Sequence, residues 1–198
     1  MRHFPCTALL MFCAAAPADL VAAADVPTSA WIDQGRSLSQ QLGSELKAEL
    51  GRAMAEGGPV AAIGVCRERA PAIAARLSAE SGARVGRTAL RVRNPANAPD
   101  ELERAVLAQF AAELHSGKFE GPLEAAFEIN RGGQVERRYM RAIPTEAICM
   151  TCHGSSLTPD LAAAISRQYP ADQATGFEPG QLRGAFSVVW PSAAPPAP

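Results

Sequence analysis

Leucines recur every fourth residue from Leu38 through Leu42 and Leu46 to Leu50, with Glu45, Lys47, Glu49 and Arg52 on the other faces. That stripe predicts an amphipathic helix over Trp31–Met54. Thr28 or Ser29 can cap its start, and Gly57-Gly58 stops it. Pro59 suits the first turn of a second helix, which runs to about Arg69 and carries Val60, Ile63 and Cys66. Pro71 interrupts that helix, and a short continuation over Ala72–Ser78 ends near Gly82. From Val85 the period shortens towards two, and Thr88–Arg93 reads as a strand. The turn cluster Asn94–Pro99 can extend neither helix nor sheet.

Asp100 opens a helix through about Leu114, with Leu102, Val106, Phe110 and Leu114 on its apolar face. Leu123–Asn130 and Val135–Ile143 flank Arg131-Gly132-Gly133-Gln134, a hairpin signal because paired glycines tolerate the positive φ of a tight turn. Pro144 closes the second strand. Thr145 is expected to cap a short helix whose dipole Glu146 complements and which Gly154 ends. A helix over Pro159–Gln168 and a strand over Leu182–Trp190 follow. Long N-terminal helices, then an antiparallel sheet of about four strands interrupted by helices, make an α+β pattern.

The 198 residues, 47% hydrophobic and 20% charged, suit one globular domain. A formal net charge of −1 offers nothing to attract nucleic acid. No apolar run reaches the length of a membrane span. The N-terminus has the order of an export signal: Arg2 and His3, the apolar Phe4–Ala16, then the small residues Ala22-Ala23-Ala24 before Asp25. The expected division is a signal peptide over 1–24, a domain over 25–191 and a Pro/Ala tail over 192–198, with a periplasmic destination. Cleavage leaves Cys66, Cys149 and Cys152, an odd set for an exported chain.

Cys149-Met150-Thr151-Cys152-His153 is the attachment pattern of a c-type haem. On a helix, residues three and four apart share a face, so both thiols and the imidazole can address one haem. Cys149 and Cys152 would form the thioethers and His153 would bind the iron. A thioredoxin-like motif would need a parallel βαβ setting, which is absent here. Zinc is the serious rival, since Cys66, Cys149, Cys152 and His153 would complete a tetrahedron. The adjacency of His153 to Cys152 and the export signal both favour haem. The sixth iron position is open to Cys66, His115, Met54, Met140 or Met150. His115 reads as a surface residue, Met54 and Met140 as packing, and Met150 as lying on the wrong face. Cys66 is the unpaired thiol, with Arg67 and Arg69 beside it to favour a thiolate. Arg91 and Arg93 are candidate contacts for the haem propionates, and Tyr139 is a weaker one. No distal His–Arg pair of the peroxidase kind lies near Cys66, so no enzymatic activity is expected.

Several segments together resemble a known family: Ala62–Cys66, Ala70–Ala74, Arg93–Asp100, Tyr139–Gly154 and Gly180–Val188. It is the family of small exported c-type haem proteins with a PAS-like fold, first seen as a domain of unknown function and known from a cyanobacterial single-haem protein. The similarity covers about Trp31 to Trp190. It implies one haem c with His/Cys axial ligation, which maps onto His153 and Cys66. The family's role is thought to be redox or small-ligand sensing; a soluble periplasmic electron carrier is the alternative. Some relatives form the sensor half of a kinase. This chain shows neither a following transmembrane helix nor a kinase module, so its expected partner is a separate periplasmic redox or signalling protein.

Overall fold

Four antiparallel strands carry the fold: β1 (Arg84–Thr88), β2 (Glu124–Arg131), β3 (Gln134–Pro144) and β4 (Leu182–Trp190). They stand in the order β1-β4-β3-β2, so the last strand enters between the first and third. This is a computed structural model, and it describes residues 30–191 apart from Phe119. The expected export signal with its cleavage near Ala24, the cap at Thr28 or Ser29, and the 192–198 tail lie outside the described residues. No helix among the described residues is long and apolar enough to cross a membrane.

Helices cover both faces of the sheet. On one face, Leu38 and Leu42 of α1 (Ala30–Gly64) and Ile73 and Leu77 of α2 (Ala70–Ser81) pack on Val85, Tyr139 and Val188. On the other, Val106, Leu107 and Phe110 of α3 (Glu101–Ser116) pack on Met140 and Ala185. Each fully buried leucine of these layers contributes about 2 kcal/mol through the apolar surface it removes from water. A third cluster, off the end of the sheet, joins Ile63 of α1 to Leu161, Ala164 and Ile165 of α5 (Pro159–Gln168) and to Tyr169.

Local chemistry accounts for the departures from expectation. The stop expected at Gly57-Gly58 is present: Gly58, with φ 69° and ψ −170°, leaves helical geometry and divides α1 into two helical stretches, the second opening at Pro59. Pro71 does not interrupt its helix. The preceding segment, Val65–Arg69, widens into a π turn, with Ala70 N–H donating to the Val65 carbonyl. That widening relieves the clash a proline ring makes with the carbonyl four residues back. The first strand spans 84–88 rather than 88–93. Thr88 Oγ1 and Ala89 N–H both donate to the Asn97 carbonyl, so the turn cluster draws the chain off the sheet at Ala89. Asp100 and Glu103 form a reciprocal capping box at the start of α3. Gly132 and Gly133, with φ 61° and 88°, form the expected tight hairpin turn.

Close approach of α1 to the sheet depends on Gly35. A Cβ there would lie 2.6 Å from Tyr139 Cγ, and Tyr139 is fully buried with its hydroxyl donating to Glu124. Gly35→Ala is expected to lower stability by about 2 kcal/mol through overpacking. Gly51→Ala, in the same helix with open space around it, should raise stability by about 0.5–1 kcal/mol. Urea unfolding of the two variants checks the pair.

Candidate functional site

β3 ends at Pro144 and hands the chain to a tight 3₁₀ turn, Ala147–Cys149, which runs directly into α4 (Met150–His153). Thr145 does not cap this helix, as its sequence position suggested. Its backbone joins Gln181 and Gly180, and its buried hydroxyl finds no partner among the described residues. Glu146 occupies the cap position without a side-chain bond and pairs instead with Lys47 across solvent. Gly154 ends the helix, where a Cβ would meet the Met150 carbonyl at 2.6 Å.

The imidazole of His153 is held from one side. The Ala174 carbonyl lies 2.6 Å from Nδ1 and accepts its proton, which leaves Nε2 with a free lone pair. Phe177 packs edge-on against the ring at 6.3 Å. Burial, reinforced by the positive charges of Arg183 and Arg93, pushes the imidazole pKa down to about 3. His153 is therefore neutral at ordinary pH, the form that binds a metal.

Residues 172–177 lie against the end of the motif. Phe177 N–H donates to the His153 carbonyl and Gly176 N–H to the Gly154 carbonyl, both at 2.9 Å. Arg93 fastens this segment from the other side. Its guanidinium forms a two-point pair with Asp172 at 3.1 Å and reaches the carbonyls of Cys152 at 2.6 Å and Ala174 at 3.2 Å. Arg93 and Asp172 have side chains only 7% and 9% exposed. Arg91 donates to the carbonyls of Gln173 and Thr175 and stacks 4.3 Å above Phe177. Both arginines picked out for propionates thus have donors engaged on the protein.

Cys66, Cys149 and Cys152 are free thiols. Cys152 packs on the cluster that contains Ile63, one helical turn before Cys66. Burial raises the Cys152 pKa, with Arg93 opposing it and Cys66 and Cys149 adding to it. Of the candidates for the sixth position, the structure brings Cys66 to the motif. Met140 is buried on the α3 face of the sheet, and His115 is exposed near the end of α3. Tyr139 packs under α1 and bonds Glu124, away from the motif. Arg69 pairs with Glu49, so it is not the cation that faces Cys66.

Sequence reasoning missed Arg87 and Arg183. Arg87 follows Ala83 and Val85 on the helix-facing phase of β1, where an aliphatic residue would be ordinary; that misplaced charge was the available signal. Arg183 sits at an irregularity: Ile143 pairs with Gly184 and Pro144 with Leu182, which leaves Arg183 as the extra residue. Burial lowers the pKa of both, with Arg183 brought down to about 10. Cys66 and Tyr169 face Arg87, while Cys66 and Cys149 face Arg183.

No three His, Cys, Asp or Glu side chains among the described residues converge closely enough to hold a metal ion. The Cys₃His tetrahedron required for zinc is not assembled. Two free thiols, a neutral imidazole with Nε2 open, and two arginines that form no salt bridge among the described residues suit a haem instead.

A model of the Tll0287-like family matches residues 20–191. The solved structure described as "Crystal structure of the cyanobacterial heme-protein Tll0287" is similar to this chain, at 29% identity and a TM-score of 0.57. The alignment covers 83% of this chain and 96% of that one. No curated protein matches.

Breaking the buried Arg93–Asp172 pair by Asp172→Ala leaves a desolvated guanidinium and should cost about 3–5 kcal/mol. Arg93→Met combined with Asp172→Leu should cost less than that single change. Denaturant unfolding of the haem-free chain compares the two.

Proposed function

The chain belongs to the Tll0287-like family, and from that premise we propose that it is an exported, periplasmic c-type haem protein that senses redox state or a small ligand. The observation that carries the haem assignment is the His153 imidazole, anchored through Nδ1 on Ala174 with Nε2 free, on the short helix that holds the free thiol Cys152 and directly follows the free thiol Cys149. The solved relative of this fold is a haem protein.

Cys149 and Cys152 would hold the porphyrin, each by adding its thiol S–H across one vinyl group to give a thioether, and His153 Nε2 and the Cys66 sulfur would hold the iron. Bound haem supplies a one-electron iron couple whose potential depends on its axial ligands. The Ala174 carbonyl orients the imidazole and increases its basicity. Arg93 fixes both Ala174 and the Cys152 carbonyl, so the proximal side is rigid.

The distal side is built differently, and this supports sensing. Cys66 lies in the π turn Val65–Arg69, eight residues after the Gly58 kink. Short π segments are locally irregular helix and occur often at functional sites. Release of the Cys66 thiolate on reduction therefore acts on a joint between two helices. No catalytic role is assigned.

A second reading, an electron carrier, is favoured by Ile148. This side chain is 49% exposed directly beside Cys149, an exposed apolar side chain next to the motif that a redox partner could cover. A carrier keeps both axial ligands in both oxidation states.

The test is absorption spectroscopy of protein matured with covalent haem, in both oxidation states, with and without carbon monoxide. The sensing reading expects loss of Cys66 ligation on reduction. It also expects Cys66→Ala to bind carbon monoxide at least about tenfold more tightly, because the site no longer waits for the thiolate to leave. Identical spectra and affinity in wild type and Cys66→Ala overturn Cys66 ligation. Unchanged ligation through reduction establishes the carrier. A denatured polypeptide free of porphyrin overturns the haem assignment itself.

A further inference from the structure

Arg87 and Arg183 stand out from the other cations of the site. Arg93 is closed by Asp172, Arg69 by Glu49 and Arg138 by Asp100 and Glu136. Arg87 makes no salt bridge or side-chain hydrogen bond among the described residues. Among the described residues, Arg183 has a long 3.5 Å contact to the Arg91 carbonyl and a place beside the Phe177 ring at 5.4 Å, and no salt bridge. Both side chains are half-buried, and a half-buried guanidinium without an anion carries a desolvation cost that a negative occupant would offset. Burial weakens the proton affinity of both, and Arg87 adds to the positive field at Arg183.

Their placement is specific. Arg87 projects from the helix-facing phase of β1, where Cys66 and Tyr169 act on it electrostatically. Arg183 is turned out of the regular alternation of β4 by the bulge opposite Ile143 and Pro144, immediately before the motif segment. Arg93, Cys66, Cys149 and Tyr169 act electrostatically on one or the other of the two, and the Asp172 carboxylate of this network is closed by Arg93.

We propose that Arg87 and Arg183 are the carboxylate clamp of the haem site and hold the two porphyrin propionates, while Arg91 and Arg93 brace the protein behind His153. This rests on the haem reading above. The charges then balance. The two arginines meet two propionates, while the single positive charge of a ferric porphyrin core meets the Cys66 thiolate. Guanidinium suits this task because its planar fork can give a carboxylate two parallel hydrogen bonds. The competing role for the same residues is as counter-charges to Cys66 alone.

The test uses haem-loaded protein and the variants Arg87→Leu, Arg183→Leu and their Lys counterparts. Thioether attachment keeps haem in each variant, so clamp loss is not confused with cofactor loss. Wild type is expected to show a midpoint potential nearly flat between about pH 5 and 8, because clamped propionates stay ionised. Each Leu variant should show a lower potential, since a cation that disfavours ferric iron is gone, and a new pH dependence as a propionate begins to titrate. The propionate bending bands in resonance Raman spectra should shift in the Leu variants and return towards wild type with Lys. Unchanged potential, pH profile and Raman bands overturn the clamp. Loss of the thiolate signature without any propionate change assigns the arginines to Cys66 and also overturns it. Absence of covalent haem in the wild type overturns the haem reading rather than the clamp.

Discussion

The ion pair between Arg93 and Asp172 organises the site. It joins three stretches far apart in sequence: the chain leaving β1, the end of the Cys-x-x-Cys-His helix, and the 172–177 segment. A buried pair of this kind yields little net stability, because desolvation offsets most of its attraction. Its value lies in geometry. The Ala174 carbonyl that receives Nδ1 of His153 also receives Arg93, and the Ala174 amide donates to Asp172. The direction of the imidazole is thus set by a network whose members have few alternative partners, which is how a second shell fixes a ligand.

The sheet delivers its charges to this network through two local irregularities. β1 stops at Thr88 because the Asn97 carbonyl captures the next donors, and the freed chain carries Arg91 and Arg93 across to residues 172–175. That crossing needs Gly184, where a Cβ would meet the Thr88 carbonyl at 2.5 Å. One residue earlier, the bulge in β4 redirects Arg183. A regular four-stranded sheet would have alternated these side chains between core and solvent, and no such convergence would follow.

The parts of the fold legible in the sequence were those with local causes. The turn at Gly132-Gly133, the helix over Pro159–Gln168 and the strand over Leu182–Trp190 follow from positive-φ glycines, a proline start and simple periodicity. Thr88–Arg93 alternates well but is not a strand, because the deciding interaction is with Asn97 and not within the segment. Cys149, Cys152, His153 and Cys66 could be picked out as candidates from the sequence, because their residue types announce their chemistry. The supporting arginines could not be read that way. Arg91 and Arg93 stand beside a conspicuous turn and drew attention, whereas Arg87 and Arg183 owe their positions to strand phase and to a bulge. Asp172, which closes the pair with Arg93, lies in a stretch with no motif at all.

The two sides of the site also differ mechanically, and the difference bears on how a change at the iron would travel. His153 is tied through backbone and side chain to segments that are themselves paired. Cys66 sits on a π turn whose neighbours diverge: Ile63 packs on α5, while Ile73 and Leu77 pack on the sheet. Helical cores respond to a lost anchor by small shifts of whole elements, since close-packed side chains do not deform continuously. A thiolate released from the distal side would therefore load α2 against β1 and leave the proximal helix in place. Arg87 on β1 also acts electrostatically on Cys66, so the strand that would feel the shift also carries a charge at the site. Coupling between the axial position and the outer helices then needs no long pathway: one π turn and one strand suffice.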